Sequence, residues 1–125
     1  MIAAAVLATQ LVALSPPIVA HAPAEVPIDD RVPVHGRAVV GQAPRTVRLQ
    51  ERAAPGEWHL VATERTRRTG RFAFSVSSGH ALTERTLRLV AAPSHGLPRV
   101  RTAPFVVDIV MRMGSSAGDQ QIRGG

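Results

Sequence analysis

Residues 71–77 read RFAFSVS, and apolar side chains alternate with polar or small ones along the whole segment. Phe72, Phe74 and Val76 fall on one side, whereas an arginine, an alanine and two serines fall on the other. Successive side chains of a β-strand leave opposite faces, whereas an amphipathic helix repeats every 3.6 residues. The segment therefore predicts a strand with one buried face and one exposed face.

The same period of two recurs before and after this strand, in residues 32–40, 46–52, 87–89 and 105–111. Glycine, proline and serine occupy the breaks between the segments, as expected for turns. No window of helical length has a period of 3.6, and a parallel sheet would need crossover helices. We therefore predict an all-β fold: an antiparallel, immunoglobulin-like sandwich of six to seven strands over residues 25–112.

Few large side chains are available to fill the core of such a sandwich. The aromatic residues are one tryptophan and three phenylalanines, Trp58, Phe72, Phe74 and Phe105. We expect all four to anchor the core, with Trp58, Leu60 and Ala62 on the inner side of their strand. Four aromatic residues are too few for the stacking platforms that bind single-stranded nucleic acid.

Composition excludes several kinds of chemistry. The 125 residues suit one domain, and the net charge is +6, with 15 basic and 9 acidic side chains. Every basic residue is arginine, so a Schiff-base lysine and a phosphate-loop lysine are both excluded. The chain has no cysteine, which excludes disulfides, thiolate metal sites and cysteine nucleophiles.

The two ends of the chain differ from its middle. Residues 2–14, IAAAVLATQLVAL, are apolar at eleven positions, a length that suits a signal peptide better than a membrane-spanning helix. We predict that residues 1–24 form a signal peptide whose helix ends at residues 15–17 and which is cleaved after Ala24, and that the polar tail 113–125 is disordered. No positive charge precedes residues 2–14, which leaves two alternatives open: a start codon placed too late, or a buried N-terminal helix.

Five segments in a fixed order carry a family resemblance: VHGRAV, TVRLQER, WHLVAT, TGRFAFSV and LRLVA. Over residues 31–110, this order resembles the small immunoglobulin-like or fibronectin-type sandwich repeats of secreted actinobacterial proteins. The resemblance implies that the strand of Trp58 is central in its sheet and that Gly70 forms a tight turn. The sequence has Leu87 where many relatives have a tyrosine, and two arginines where their turn carries an acidic residue.

Arginine occupies many of the predicted outward positions. Guanidinium groups pair bidentately with phosphates and carboxylates, so a shared basic face would suit an anionic cell-wall polymer or another envelope protein. A simpler explanation is that outward positions need solvated residues, which a bias toward arginine supplies. The candidate polyanion contacts are Arg48, Arg52, Arg67, Arg68, Arg71, Arg88 and Arg101.

No catalytic or metal-binding signature stands out. The five histidines match no local metal motif, and no nucleophile elbow is present. We therefore expect a secreted, envelope-associated module that binds or spaces other molecules, with no enzymatic activity, cofactor, metal or specific nucleic-acid partner. It would contact a membrane only through an uncleaved signal peptide. The alternative is the orphaned accessory domain of an extracellular hydrolase, and the sequence leaves the ligand and oligomeric state open.

Overall fold

The computed structural model describes residues 17–41 and 43–112, and in these ranges the chain is all-β. No helix in them is long and apolar enough to cross a membrane. Residues 2–14 and the tail 113–125 lie outside the described residues, so the predictions for both stay predictions. The nine strands are β1 (Ile18–His21), β2 (Glu25–Pro27), β3 (Arg31–Ala38), β4 (Thr46–Ala54), β5 (Glu57–Arg65), β6 (Arg71–Ser77), β7 (Glu84–Ala91), β8 (Val100–Arg101) and β9 (Phe105–Val110).

The strands form two sheets. Sheet A has the order β1-β3-β6, and sheet B has the order β2-β9-β7-β4-β5, with β8 paired to β7. Every pair is antiparallel except β2 with β9, which is parallel. The all-β prediction is confirmed, with the longer strands where the alternation placed them. The additional strands β1, β2 and β8 have only two to four residues each, too few for a period of two to be recognised.

One hydrophobic core lies between the two sheets. Sheet A contributes Val32, Val34 and Phe74, and sheet B contributes Leu49 and Leu89, all at most 3% exposed. The inward positions predicted for β3, β4, β6 and β7 are confirmed. Phe105 packs against the edge of this core and is only partly buried.

Trp58 lies outside the core, so its predicted role as a core anchor is wrong. Its strand, β5, is an edge strand of sheet B and is not central, as the resemblance had implied. A register shift between Leu49 and Gln50 places Leu60 opposite Gln50 and Trp58 opposite Arg52. Because one extra residue moves the following side chains to the other face, both apolar side chains face outward, and Leu60 is 59% exposed.

The turn predicted at Gly70 is confirmed. Its φ of +92° lies in the left-handed region that only glycine adopts freely. A Cβ at this position would lie 2.2 Å from the carbonyl oxygen of Ala38, whose amide donates a hydrogen bond to the Gly70 carbonyl (2.9 Å). The glycine thus holds the start of β6 against the end of β3.

One arginine is used inside the fold. Arg45, 2% exposed, donates from Nε to the Ala92 carbonyl (2.7 Å) and from Nη1 to the Val39 carbonyl (2.9 Å), and Nη2 donates to the Pro98 carbonyl. Burial lowers the pKa of the guanidinium, which still remains charged. Arg45 therefore joins the loops that follow β3 and β7.

A second arginine connects the sheets farther along β4. Arg85 forms a two-bond ion pair with Glu51, with Nε 3.0 Å from Oε2 and Nη2 2.7 Å from Oε1. Its Nη1 also donates to the carbonyl of Ser77 in sheet A (2.7 Å). Glu51 is therefore unavailable to neutralise the outward-facing arginines.

Strand β1 lies within residues 1–24, although this range is predicted to be removed. Ile18 is 8% exposed and belongs to the core, and β1 pairs with β3 along its whole length. Gly36 permits this pairing, because a Cβ there would lie 2.0 Å from the Val19 carbonyl oxygen. Cleavage after Ala24 would therefore remove an edge strand of sheet A.

We predict that Phe74→Ala lowers the free energy of unfolding by about 3–5 kcal/mol, because it empties a fully packed core position. Trp58→Ala should cost only about 1 kcal/mol, mainly through loss of the contact between its ring and Arg88. Urea unfolding followed by circular dichroism measures both values. Equal losses in the two variants would contradict the outward placement of Trp58.

We also predict that a chain beginning at Glu25 melts roughly 5–15 °C lower than one beginning at Pro17, because it loses Ile18 from the core and leaves one edge of β3 without its partner strand. Thermal melts of the two purified chains make the comparison. Equal midpoints would show that the domain is complete without β1, as cleavage after Ala24 requires.

Candidate anion-binding surfaces

The structure places the seven predicted contact residues at two separate locations. Arg48, Arg52, Arg88 and Arg101 belong to strands of sheet B. Arg71 begins β6 in sheet A, and Arg67 and Arg68 lie in the turn before it. The single basic face predicted from the sequence is therefore two separate groups.

We call the outer side of sheet B around Arg48, Arg52, Arg88, Arg101 and Trp58 the arginine face. Arg48 lies between two fully buried residues of β4, so its side chain points away from the core. The β7 residue opposite Arg48 is also opposite Arg101 of β8, and Arg52 is opposite Trp58 of β5. Residues that are directly opposite share a face of the sheet, which brings the four arginines onto one side.

Arg88 is the best-fixed member of the arginine face. Its Nε donates to Oε1 of Gln50 (2.7 Å), and its guanidinium carbon lies 4.2 Å from the ring centroid of Trp58. Burial first, and the positive charge of Arg101 second, lower the pKa of Arg88. The guanidinium stays charged, so Arg88 is stacked on an aromatic ring with one edge still able to meet an anion.

Three of the six carboxylates of sheet B lie at the other end of its outer side. Glu84 is opposite Asp108, which is opposite Glu25. Glu84 and Arg88 are four residues apart on β7, about 13 Å along the strand, which exceeds the Debye length of about 8 Å at physiological ionic strength. Within the described ranges, no carboxylate lies within 4 Å of a guanidinium nitrogen of the arginine face.

The second surface is a groove of about 820 Å³ on sheet A, which we call the basic groove. Its lining includes His21, His35, Arg37, Arg65, Arg67 and Arg71, together with Glu64. The rings of His21 and His35 are stacked, with centroids 5.4 Å apart and planes inclined by 30°. Arg68, one of the predicted contacts, is exposed in the turn but is not part of the lining.

Sequence reasoning missed the basic groove because its parts are distant along the chain. His21 belongs to a strand too short to predict, and its neighbour His35 is fourteen residues later. The alternation in the sequence indicates that Arg37 faces outward. That Arg71 lies directly opposite it is known only from the pairing of β3 with β6. No group of three or more histidines or carboxylates in the described ranges is placed to hold a metal ion.

Comparisons with known proteins concern the fold. A scan against protein-family models and a search of curated proteins found no match. Among solved structures, the chain is similar to the sulfur carrier protein SoxY from Chlorobium limicola f thiosulfatophilum, with a TM-score of 0.52 and 16% identity over 86% of this chain and 99% of that chain. At this identity the likeness shows a common β-rich fold alone. The resemblance to actinobacterial repeats therefore rests on the sequence motifs.

Proposed function

We propose that this chain is a non-enzymatic binding module whose arginine face holds an anionic polymer of the cell envelope. One observation carries the proposal: four arginines lie on one side of sheet B, and none of them forms an ion pair with a described residue. Solvated arginines scattered over a surface need no ligand, but this group is concentrated beside a half-buried aromatic ring. Repeating phosphates or carboxylates would supply the missing negative charge.

The spacing of the arginines suits an extended ligand. Arg48 and Arg52 are four residues apart on β4, about 13 Å, while Arg48 and Arg101 are separated by one intervening strand, about 10 Å. These are distances along the backbone, and a chain with several negative groups can contact all of these arginines at once. The Trp58 ring and the exposed Leu60 offer apolar area beside the charges for a sugar or acyl portion of such a chain.

We further propose that the fold is of the immunoglobulin type. The sheets β1-β3-β6 and β9-β7-β4-β5 have the strand order of the A-B-E and G-F-C-C′ sheets of a variable-type domain. Trp58 departs from that pattern, because it lies on the outer side of an edge strand and not beneath the sheets. An arginine face on the G-F-C-C′ sheet then lies on a large open side of the sandwich.

The likeness to SoxY supports the fold and not its activity. SoxY is a sulfur carrier protein by name, whereas the 125-residue chain described here has no cysteine. It therefore has no thiol that could hold a sulfur atom covalently. We infer export and an envelope location from the apolar residues 2–14. The location concerns which polymer the protein meets, and the binding chemistry of the arginine face does not depend on it. No feature of the described residues favours the hydrolase accessory domain over a free-standing module.

We predict that the full chain is retained on immobilised heparin, used as the polyanion probe, and that Arg48→Gln/Arg52→Gln elutes at clearly lower salt. The logarithm of the heparin binding constant should fall linearly with the logarithm of salt concentration, and the slope should drop by about two in the double variant. Trp58, the single tryptophan, gives a fluorescence signal for the titration.

The matched control is Arg31→Gln/Arg68→Gln, which removes the same charge from outside both surfaces. It should keep nearly the full affinity and slope. Equal weakening in the two double variants would show that heparin binding depends on net charge and not on the arginine face, which would contradict the proposal. Passage of the unmodified chain through the column at low salt would refute it outright.

A further inference from the structure

Two arginines of sheet A are held directly opposite each other. Arg37 of β3 and Arg71 of β6 are cross-strand partners, and both are exposed on the outer side of the sheet. Like charges in this position destabilise a sheet, and neither side chain forms an ion pair with a described residue. The arrangement costs stability in the free protein and becomes favourable when an anion lies between the two guanidinium groups.

The neighbouring turn adds further positive charge at the same place. Two hydrogen bonds fix the backbone of Arg67. The Arg67 amide donates to the Arg71 carbonyl (2.8 Å), and the Gly70 amide donates to the Arg67 carbonyl (2.9 Å). Arg65, at the end of β5, also lines the basic groove. Glu64 is the one carboxylate in the lining, set against four guanidinium groups.

The other side of the basic groove is less polar. Val19 of β1 lies opposite Arg37 of β3. Two residues along these strands, His21 lies opposite His35, and their rings are stacked. The volume of about 820 Å³ exceeds what a bare phosphate ion needs and lies in the range of small-molecule sites. The groove therefore offers a strongly basic end next to a flat, weakly polar one.

We infer that the basic groove is a second binding site, separate from the arginine face, that takes a compact phosphoryl group. Arg37 and Arg71 would hold the phosphate through charge-assisted hydrogen bonds, with Arg67 and Arg65 completing its neutralisation. If the phosphate is esterified, its organic part would lie over Val19 and the histidine pair. The inference does not depend on the polymer-binding function, because no residue of the basic groove belongs to the arginine face.

The test titrates the full chain with inorganic phosphate and, separately, with glycerol phosphate, using NMR amide shifts and calorimetry. We expect saturable shifts confined to β1, β3, β6, the turn before β6 and the end of β5 at Arg65. Tighter binding of glycerol phosphate identifies a phosphorylated small molecule as the ligand, and tighter binding of inorganic phosphate identifies the free ion. Absence of saturable binding for both probes, or shifts confined to sheet B, would overturn the site.

Variants separate this site from general charge effects. Arg71→Gln should weaken phosphate binding by about tenfold, the loss expected for one charged hydrogen-bond donor, and Glu64→Gln should strengthen it. Arg37→Glu should abolish binding while raising the melting midpoint of the free protein, because it turns a repulsive cross-strand pair into an attractive one.

The control for the charge reversal is Arg31→Glu, which makes the same change on β3 outside the groove and should leave phosphate affinity within about twofold. The site is refuted if Arg37→Glu still binds phosphate as the unmodified chain does, or if Arg31→Glu loses as much affinity as Arg37→Glu. Failure of the heparin experiment alone would leave these expectations unchanged, so the two proposals can fail separately.

Discussion

The pairing of Leu49 with Leu89 across β4 and β7 is the constraint on which the surface chemistry depends. Both side chains are fully buried in the middle of sheet B, so neither strand can slip by one residue without exposing them. Because successive side chains of a strand point to opposite faces, Arg48 and Arg88, the neighbours of this pair along their strands, are forced outward. The arginine face is thus a consequence of core packing, and its charges are positioned by rigid strands and not by loops.

Arginine serves opposite purposes in different parts of this fold. Arg45 and Arg85 are satisfied by backbone carbonyls and by Glu51, and they hold loops and sheets together. The four arginines of the arginine face, by contrast, form no ion pair with a described residue. Because the chain has no lysine, arginine supplies both the buried hydrogen bonds between loops and sheets and the positive charge of the surface. Net charge alone would not distinguish these roles, whereas burial and hydrogen bonding do.

The alternation of apolar residues was sufficient to predict the long strands, because burial on one face imposes a period of two. It failed at Trp58, where a register shift on an edge strand reverses the side on which residues project. It also failed for β1, which is short and lies in a segment whose apolar character suits a signal peptide. The candidate contacts were predicted from their place in the alternation. Which of them share a surface depends on the order of the strands in each sheet. That order cannot be read from local sequence, because the paired strands are distant along the chain.

Trp58 lies on the outer side of sheet B within a positive field, and quenching of its fluorescence tests this placement most directly. Iodide and caesium are quenchers of opposite charge, and Trp58 is the single tryptophan of the chain. We predict strong quenching by iodide, weak quenching by caesium, and a smaller difference between them in Arg88→Gln. Resistance to both ions would place Trp58 in the core, and preferential quenching by caesium would contradict the positive field.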